Sequence, residues 1–312
     1  LTARKLRVAV IGSGKLGSRH AATYAKTHGV ELVGVCDTVE SKAHETALAL
    51  GTKAFTDYRQ LLGSVDAASI AVPSHLHYAI SKDFLEGGCH LLIEKPITTD
   101  LSQADALLAL AKEKNLIIQV GHIERYNAAL RTVREIVKQP RFIECHRLGP
   151  YQPRVADVGV TLDLMIHDID IVLSLVGSPV QTIDAVGAFV LSKTEDIANA
   201  RVRFANQAVC NLTASRITPD TMRKIRIFQD DAYISLDYVT QEAEIYHKEG
   251  THIRHKKMDI TKGDSLKEEI ADFVDCVHTG RKPLVGGEDA RQALAVALDI
   301  SGQIHRQKNG AR

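Results

Sequence analysis

The stretch VAVIGSGKLG, Val8–Gly17, limits what this chain can fold into more than any other. Val8, Ala9, Val10 and Ile11 have the branching and length of a buried strand, and Gly12, Ser13, Gly14, Lys15, Leu16 and Gly17 then fit G-x-G-x-x-G ahead of a helix-like segment. Each glycine has its own task. Gly12 makes a tight turn, Gly14 lets backbone approach a pyrophosphate, and Gly17 lets the helix pack close against the strand. Free N–H groups at the helix start then face the anion. The spacing predicts a dinucleotide-phosphate turn over these six residues.

A second strand-like run, VELVGVCD, ends in Asp37, twenty positions after Gly17. A carboxylate there takes both hydroxyls of an adenosine ribose and repels a 2′-phosphate, which predicts NAD rather than NADP. From Leu6 to Gly121 strand-like and helix-like segments keep alternating, through VDAASIAV, CHLLIEK, LSQADALLALAKEKN and LIIQVGH. Apolar, β-branched strands in that rhythm predict a doubly wound parallel sheet of Rossmann type over residues 1–121.

After Asn127 the pattern changes. One long helix is expected over Val158–Val176, followed by the runs ANARVRFANQAVCNLTASR, RKIRIFQDDAYISLDY and EAEIYHKEG. Their period-two alternation predicts a large, mostly antiparallel sheet with one face buried. SLKEEIADFVDCVHTG and GEDARQALAVALDISGQIHR read as amphipathic terminal helices. Residues 122–312 are therefore expected to form an α+β domain for substrate binding and oligomerisation, with helices covering one face of the sheet.

Composition narrows the partners. Thirty-nine Lys and Arg against thirty-eight Asp and Glu give a net charge of +1, so no global field recruits nucleic acid or an anionic membrane. There is no tryptophan and only 5% aromatic residues, which argues against a stacking platform for single-stranded nucleic acid. Cys36, Cys89, Cys145, Cys210 and Cys276 are scattered and never in C-x-x-C spacing, so neither a disulfide framework nor a zinc knuckle is expected, and a reducing cytoplasm fits. The apolar run behind Arg7 is broken by Gly12, too short for a secretion signal, and no stretch approaches a membrane span. The His75/His77 and His252/His255 pairs lack a third ligand, so no metal is expected.

Two segments bear reactive groups. LLIEKP sets Glu94, Lys95 and Pro96 at the carboxyl edge of the parallel sheet, where open α/β folds keep their ligands. In VTLDLMIHDIDIVLSLV, Asp163, His167, Asp170 and Ser174 recur as a polar stripe opposite Met165, Ile166 and Ile169. A carboxylate one turn from an imidazole orients it for acid/base work near neutral pH. The same spacing also describes a solvated helix pair, and Lys95 a solvated lysine at a strand end.

Taken in order, G-x-G-x-x-G, Asp37, PSHLH (Pro73–His77), EKP (Glu94–Pro96), GHIERYN (Gly121–Asn127) and D-x-x-x-H (Asp163–His167) are similar, end to end, to the Gfo/Idh/MocA family. The resemblance implies metal-free, NAD(P)-dependent oxidation of a sugar or cyclitol hydroxyl, with Lys95, Asp163 and His167 as the catalytic set. His167 would be the base, Lys95 would bond substrate oxygen and cofactor edge, and Asp163 would orient them. It also implies that Pro73, Ser74 and His77 line the cofactor, and that Glu94 pairs Lys95 or contacts the nicotinamide ribose.

The wordings VGHIERYN, DVGVTLDLMIHDIDIV and DAYISLDY resemble the branch of that family that includes UDP-N-acetylglucosamine 3-dehydrogenases. The implied substrate is a UDP-sugar, whose pyrophosphate would meet basic side chains among Arg125, Arg147, Arg154, Arg216, Arg223 and Lys224. Arg125, Asn127 and Arg154 accordingly join Lys95, Asp163 and His167 as expected substrate contacts. An inositol or free monosaccharide dehydrogenase is the alternative, and a non-catalytic NAD(H)-binding sensor the third reading. The open face of a large sheet predicts a homodimer or homotetramer.

Overall fold

Val8, Ala9 and Val10 are fully buried, because β1 (Leu6–Ile11) is an inner strand of a parallel sheet. The structure is a computed structural model that describes residues 4–151 and 158–310. Around β1 pair β2 (Val30–Cys36), β3 (Lys53–Phe55), β4 (Ala67–Ile70), β5 (His90–Ile93) and β6 (Ile118–Val120), in the order β3-β2-β1-β4-β5-β6. Helices α1 (Lys15–Tyr24), α2 (Glu40–Leu50), α3 (His77–Glu86) and α4 (Leu101–Glu113) alternate with these strands. Strand order reverses between β1 and β4, which puts the glycine turn at the topological switch point.

A second sheet follows α5 (Ala128–Ile136). Its strands are β7 (Phe142–Leu148), then, after α6 (Ile166–Val176), β8 (Val180–Ala188), β9 (Ile197–Phe204), β10 (Val209–Ser215), β11 (Met222–Gln229), β12 (Ala232–Asp237), β13 (Glu242–Glu249) and β14 (His252–Lys257). They run in the order β14-β13-β12-β11-β7-β10-β9-β8, antiparallel except where β7 meets β10. One face is sealed: Cys145, Leu212 and Ile225 share a core with Leu130 of α5 and Ile166 and Ile169 of α6. Each such aliphatic side chain contributes about 1.5–3 kcal/mol by leaving water. The opposite face is half-exposed and carries a row of rings, Phe142, Phe228, Tyr233, Tyr246 and His255, with neighbouring centroids 5.6, 4.8, 5.2 and 4.5 Å apart. This is the predicted mostly antiparallel sheet with helices on one face.

The chain ends in α7 (Ser265–Thr279) and α8 (Gly287–Gly310). By contact, the described residues up to Ile123 and Asp264–Arg291 make one unit, and Glu124–Gly263 with the residues from Gln292 onward make the other. The linear division at 121/122 differs from this at α7. Leu266, Ile270 and Phe273 on that helix share a core with Val8 and Val10 of β1 and Tyr24 of α1, so α7 closes the parallel sheet. The expected continuous helix over Val158–Val176 is also modified: Thr161–Met165 is a π-helical turn, and regular helix begins only at Ile166. Among the described residues no helix is long and apolar enough to cross a membrane.

Candidate active site

The glycine turn is shaped by the absence of side chains. Gly12 has φ +98°, and a Cβ there would lie 2.3 Å from the Ala71 carbonyl oxygen. One on Gly17 would lie 1.8 Å from Gly12 O, so helix and strand touch backbone to backbone. Gly14 is different: a Cβ would meet no protein atom within 4 Å, so no packing demand of the fold explains its bareness. Gly14 and Lys15 are exposed, Leu16 is half-buried, and no side chain caps α1 at Gly14. An open, uncapped helix start behind a bare backbone suits a dinucleotide pyrophosphate.

Asp37 stands at the end of β2 and accepts the Ser13 N–H at 2.8 Å and the Val39 N–H at 2.9 Å. It is half-buried, on the same carboxyl edge of the sheet as the turn. Pro73 and Ser74 open the short 3-10 turn after β4, Pro73 exposed and Ser74 half-buried. His77 does not face outward: it is 1% exposed, with Nδ1 2.8 Å from Pro96 O and Nε2 2.9 Å from Val72 O. Burial pushes its pKa down against the upward pull of those carbonyls. Both ring nitrogens are engaged by backbone, so any contribution to a cofactor passes through the two loops it joins.

Lys95 follows β5 and is half-buried, with a cis peptide to Pro96. Glu94 is turned inward: Oε1 lies 3.0 Å from His20 Nε2, and Oε2 accepts the Lys95 N–H at 3.3 Å. A Cβ on Gly121 would come 2.9 Å from the Glu94 carboxyl carbon, so that glycine makes room for the carboxylate.

In the second unit, Asp163 lies in the π-helical turn and His167 in the first turn of α6, both half-buried. The start of this segment is pinned. Asp163 N–H bonds Gly159 O at 3.0 Å, Val160 N–H bonds Glu195 O at 2.9 Å, and a Cβ on Gly159 would lie 2.1 Å from Glu195 Oε1. Glu195 is buried and meets His305 Nε2 at 3.1 Å. The expected polar stripe is not a solvated face, because Asp170 is buried and ion-paired to Arg125 at 3.2 Å. Asn127 is also buried: its Oδ1 caps α5 at Ala129 N, and its Nδ2 donates to Tyr238 O at 3.1 Å.

The basic residues expected to meet a pyrophosphate divide. Arg147 forms a two-pronged pair with Asp168, Nη2–Oδ1 2.8 Å and Nε–Oδ2 3.0 Å, and also reaches Glu124 at 3.0 Å. Arg216 is buried against Asp196 at 2.8 Å. These guanidinium groups hold the fold. Arg223 and Lys224 remain nearly half-exposed, and Arg154 lies outside the described residues. Nothing local in the sequence marks His20, Glu195, Asp168 or Asp196, since only distant partners give them meaning.

Comparison with known proteins agrees with this geometry. Residues 6–122 match the family model described as "Oxidoreductase family, NAD-binding Rossmann fold", and residues 130–251 match the GFO/IDH/MocA C-terminal domain. The chain is 38% identical over 302 residues to UDP-N-acetylglucosamine 3-dehydrogenase of Acidithiobacillus ferrooxidans, covering 95% of this chain and 96% of that protein. The solved structure of that enzyme superposes with a TM-score of 0.92, covering 96% of this chain and 98% of the other. Myo-inositol 2-dehydrogenase of Thermotoga maritima is 25% identical over 327 aligned positions, 97% of this chain and 98% of its own. A scyllo-inositol dehydrogenase from Lactobacillus casei, 19% identical, shares the fold at a TM-score of 0.83 over 97% of this chain and 98% of its own. With both halves matched by the family's own domains, the chain belongs to the Gfo/Idh/MocA family of oxidoreductases and carries its NAD-binding Rossmann fold.

Proposed function

We propose that this protein is an NAD-dependent dehydrogenase that oxidises the 3-hydroxyl of UDP-N-acetylglucosamine, or of a closely related nucleotide sugar, to the ketone. The observation that carries this reading is the 38% identity, spread over 95% of the chain, to an enzyme named for that reaction. Gly12, Ser13, Gly14, Lys15, Leu16 and Gly17 would hold the pyrophosphate and Asp37 the ribose, with Pro73 and Ser74 alongside and His77 and Glu94 supporting the loops. When bound, NAD supplies the hydride acceptor.

The chain's residues handle the proton. The His167 imidazole takes the proton of the substrate hydroxyl, Asp163 orients and charge-balances that ring, and the Lys95 ammonium donates a hydrogen bond to the substrate oxygen as negative charge builds there. Arg125 and Asn127 contribute on the substrate side from the turn they anchor, and Arg154 is assigned there by sequence alone.

One observation favours the second reading, an inositol or monosaccharide dehydrogenase. Arg125, Arg147 and Arg216 are committed to buried carboxylates, which leaves fewer groups for a diphosphate. NADH production over a panel of UDP-sugars, inositols and free hexoses separates the two. Turnover confined to UDP-sugars, with competitive inhibition by UDP, is expected; turnover of inositols alone would overturn the first reading. Absence of turnover across the panel would favour an NAD(H)-binding sensor.

The ring-bearing open face of the second sheet supports assembly as a homodimer or homotetramer. All five cysteines are buried free thiols, which supports a cytoplasmic location. With a net charge of +1, neither nucleic acid nor membrane enters the proposal as a partner.

A further inference from the structure

Behind the strand end that carries Lys95, the first unit encloses three side chains from three elements. His20 on α1, Glu94 after β5 and Glu269 on α7 are 0%, 8% and 0% exposed. One nitrogen or oxygen of each lies within 4.8 Å of those of the other two. His20 Nε2 meets Glu94 Oε1 at 3.0 Å, and His20 Nδ1 meets Ser69 Oγ at 3.2 Å, which in turn meets Tyr24 Oη at 2.9 Å. Glu94 Oε2 accepts the N–H of Lys95.

Glu269 is the anomaly. Neither of its carboxyl oxygens has a hydrogen-bond partner, although its backbone carbonyl accepts from Gln119 Nε2 at 2.9 Å. The titratable groups facing it are His20 and Tyr24 from α1, Glu94 from β5 and Asp272 from its own helix. An ionised Glu269 would place a bare charge in an apolar interior beside a second carboxylate, which both desolvation and like-charge repulsion oppose. Burial first, then the charges of Glu94 and Asp272, raise its acid form well above the ordinary glutamate range. A neutral acid can donate.

Building on the role assigned to Lys95 above, we propose that Glu269 is a neutral carboxylic acid packed behind the Glu94–His20 pair. That pair then acts as the positioning device for Lys95. The proton sits on Glu269, and Glu94 is gripped by His20 on one oxygen and by the Lys95 peptide on the other. His20 is thus a positioning residue that acts through Glu94.

The test has a spectroscopic arm and a kinetic arm. Infrared difference spectra of the full chain should contain the C=O stretch of a protonated carboxylic acid at neutral pH, and Glu269→Gln should remove it. This readout is independent of turnover, so it stands or falls apart from the dehydrogenase reading; it should persist in Lys95→Ala. His20→Gln should lower kcat about 10- to 100-fold with the KM for NAD little changed. If His20→Gln fails to fold, Ser69→Ala, which removes the contacts on His20 Nδ1 and Tyr24 Oη but leaves His20 Nε2 on Glu94, should show the same split at smaller size. Absence of the acid band, a stoichiometric divalent metal released by Glu269→Gln, or unchanged kcat in both His20→Gln and Ser69→Ala would each overturn the proposal.

Discussion

The carboxylate of Asp37 accepts the Ser13 N–H at 2.8 Å, so the acid that closes β2 is fastened to the glycine turn that follows β1. Two residues 24 positions apart thereby build one surface. A carboxylate has about four acceptor sites, so the bonds to Ser13 and Val39 leave capacity for ribose hydroxyls. Asp37→Ala removes both the tie and the acceptor. It should weaken NAD about 10- to 100-fold, about 1.4–2.8 kcal/mol, and narrow the preference over NADP. Fluorescence titration with both cofactors checks this, and equal Kd values in variant and wild type would remove Asp37 from the site.

Lys95→Ala and His167→Ala should each lower kcat by roughly 10²–10⁴-fold while NAD affinity changes little, because both act on the substrate proton and oxygen. The His167 variant should also lose the acidic limb of the kcat/KM profile. Full activity in either variant contradicts the assigned role.

Asp196 carries an acid-stability prediction. Burial raises its pKa, but the N–H groups of Leu191, Ser192 and Val190 together with Arg216 outweigh burial and hold it well below the ordinary aspartate range. A depressed folded pKa means stability that is fully present above the unfolded value, about 3.9, and lost as pH falls from there toward the folded value. Asp196→Asn should cost about 3–5 kcal/mol at neutral pH, since it removes the buried carboxylate that Arg216 meets at 2.8 Å. The variant should also show less destabilisation below about pH 4 than wild type, measured by urea unfolding across pH.

Gly159→Ala tests how the segment bearing Asp163 is held. The added methyl would sit 2.1 Å from Glu195 Oε1, a carboxylate itself braced by His305, so either that buried carboxylate or the backbone must shift. A loss of about 1–3 kcal/mol is expected in thermal unfolding. Because Gly159 O accepts the Asp163 N–H, kcat should fall as well. Wild-type stability together with wild-type kcat would show that the site does not depend on this packing.

Local pattern determined much of this protein. Val8–Gly17 and Asp37 define the switch point, and β-α alternation followed by period-two runs predicts a parallel and then a largely antiparallel sheet. Glycine spacing, strand periodicity and branching act between neighbours along the chain, so they are legible there. The fate of buried charge is not. Arg147 and Arg216 read as phosphate ligands in the sequence because a solvated arginine and one sealed against Asp168 or Asp196 are identical there. The return of α7 to the first sheet, which brings Glu269 to Glu94, joins elements on either side of an entire second sheet. Only the folded chain decides which charges lose their water and which partners replace it, because desolvation and pairing depend on distances that residue order does not contain.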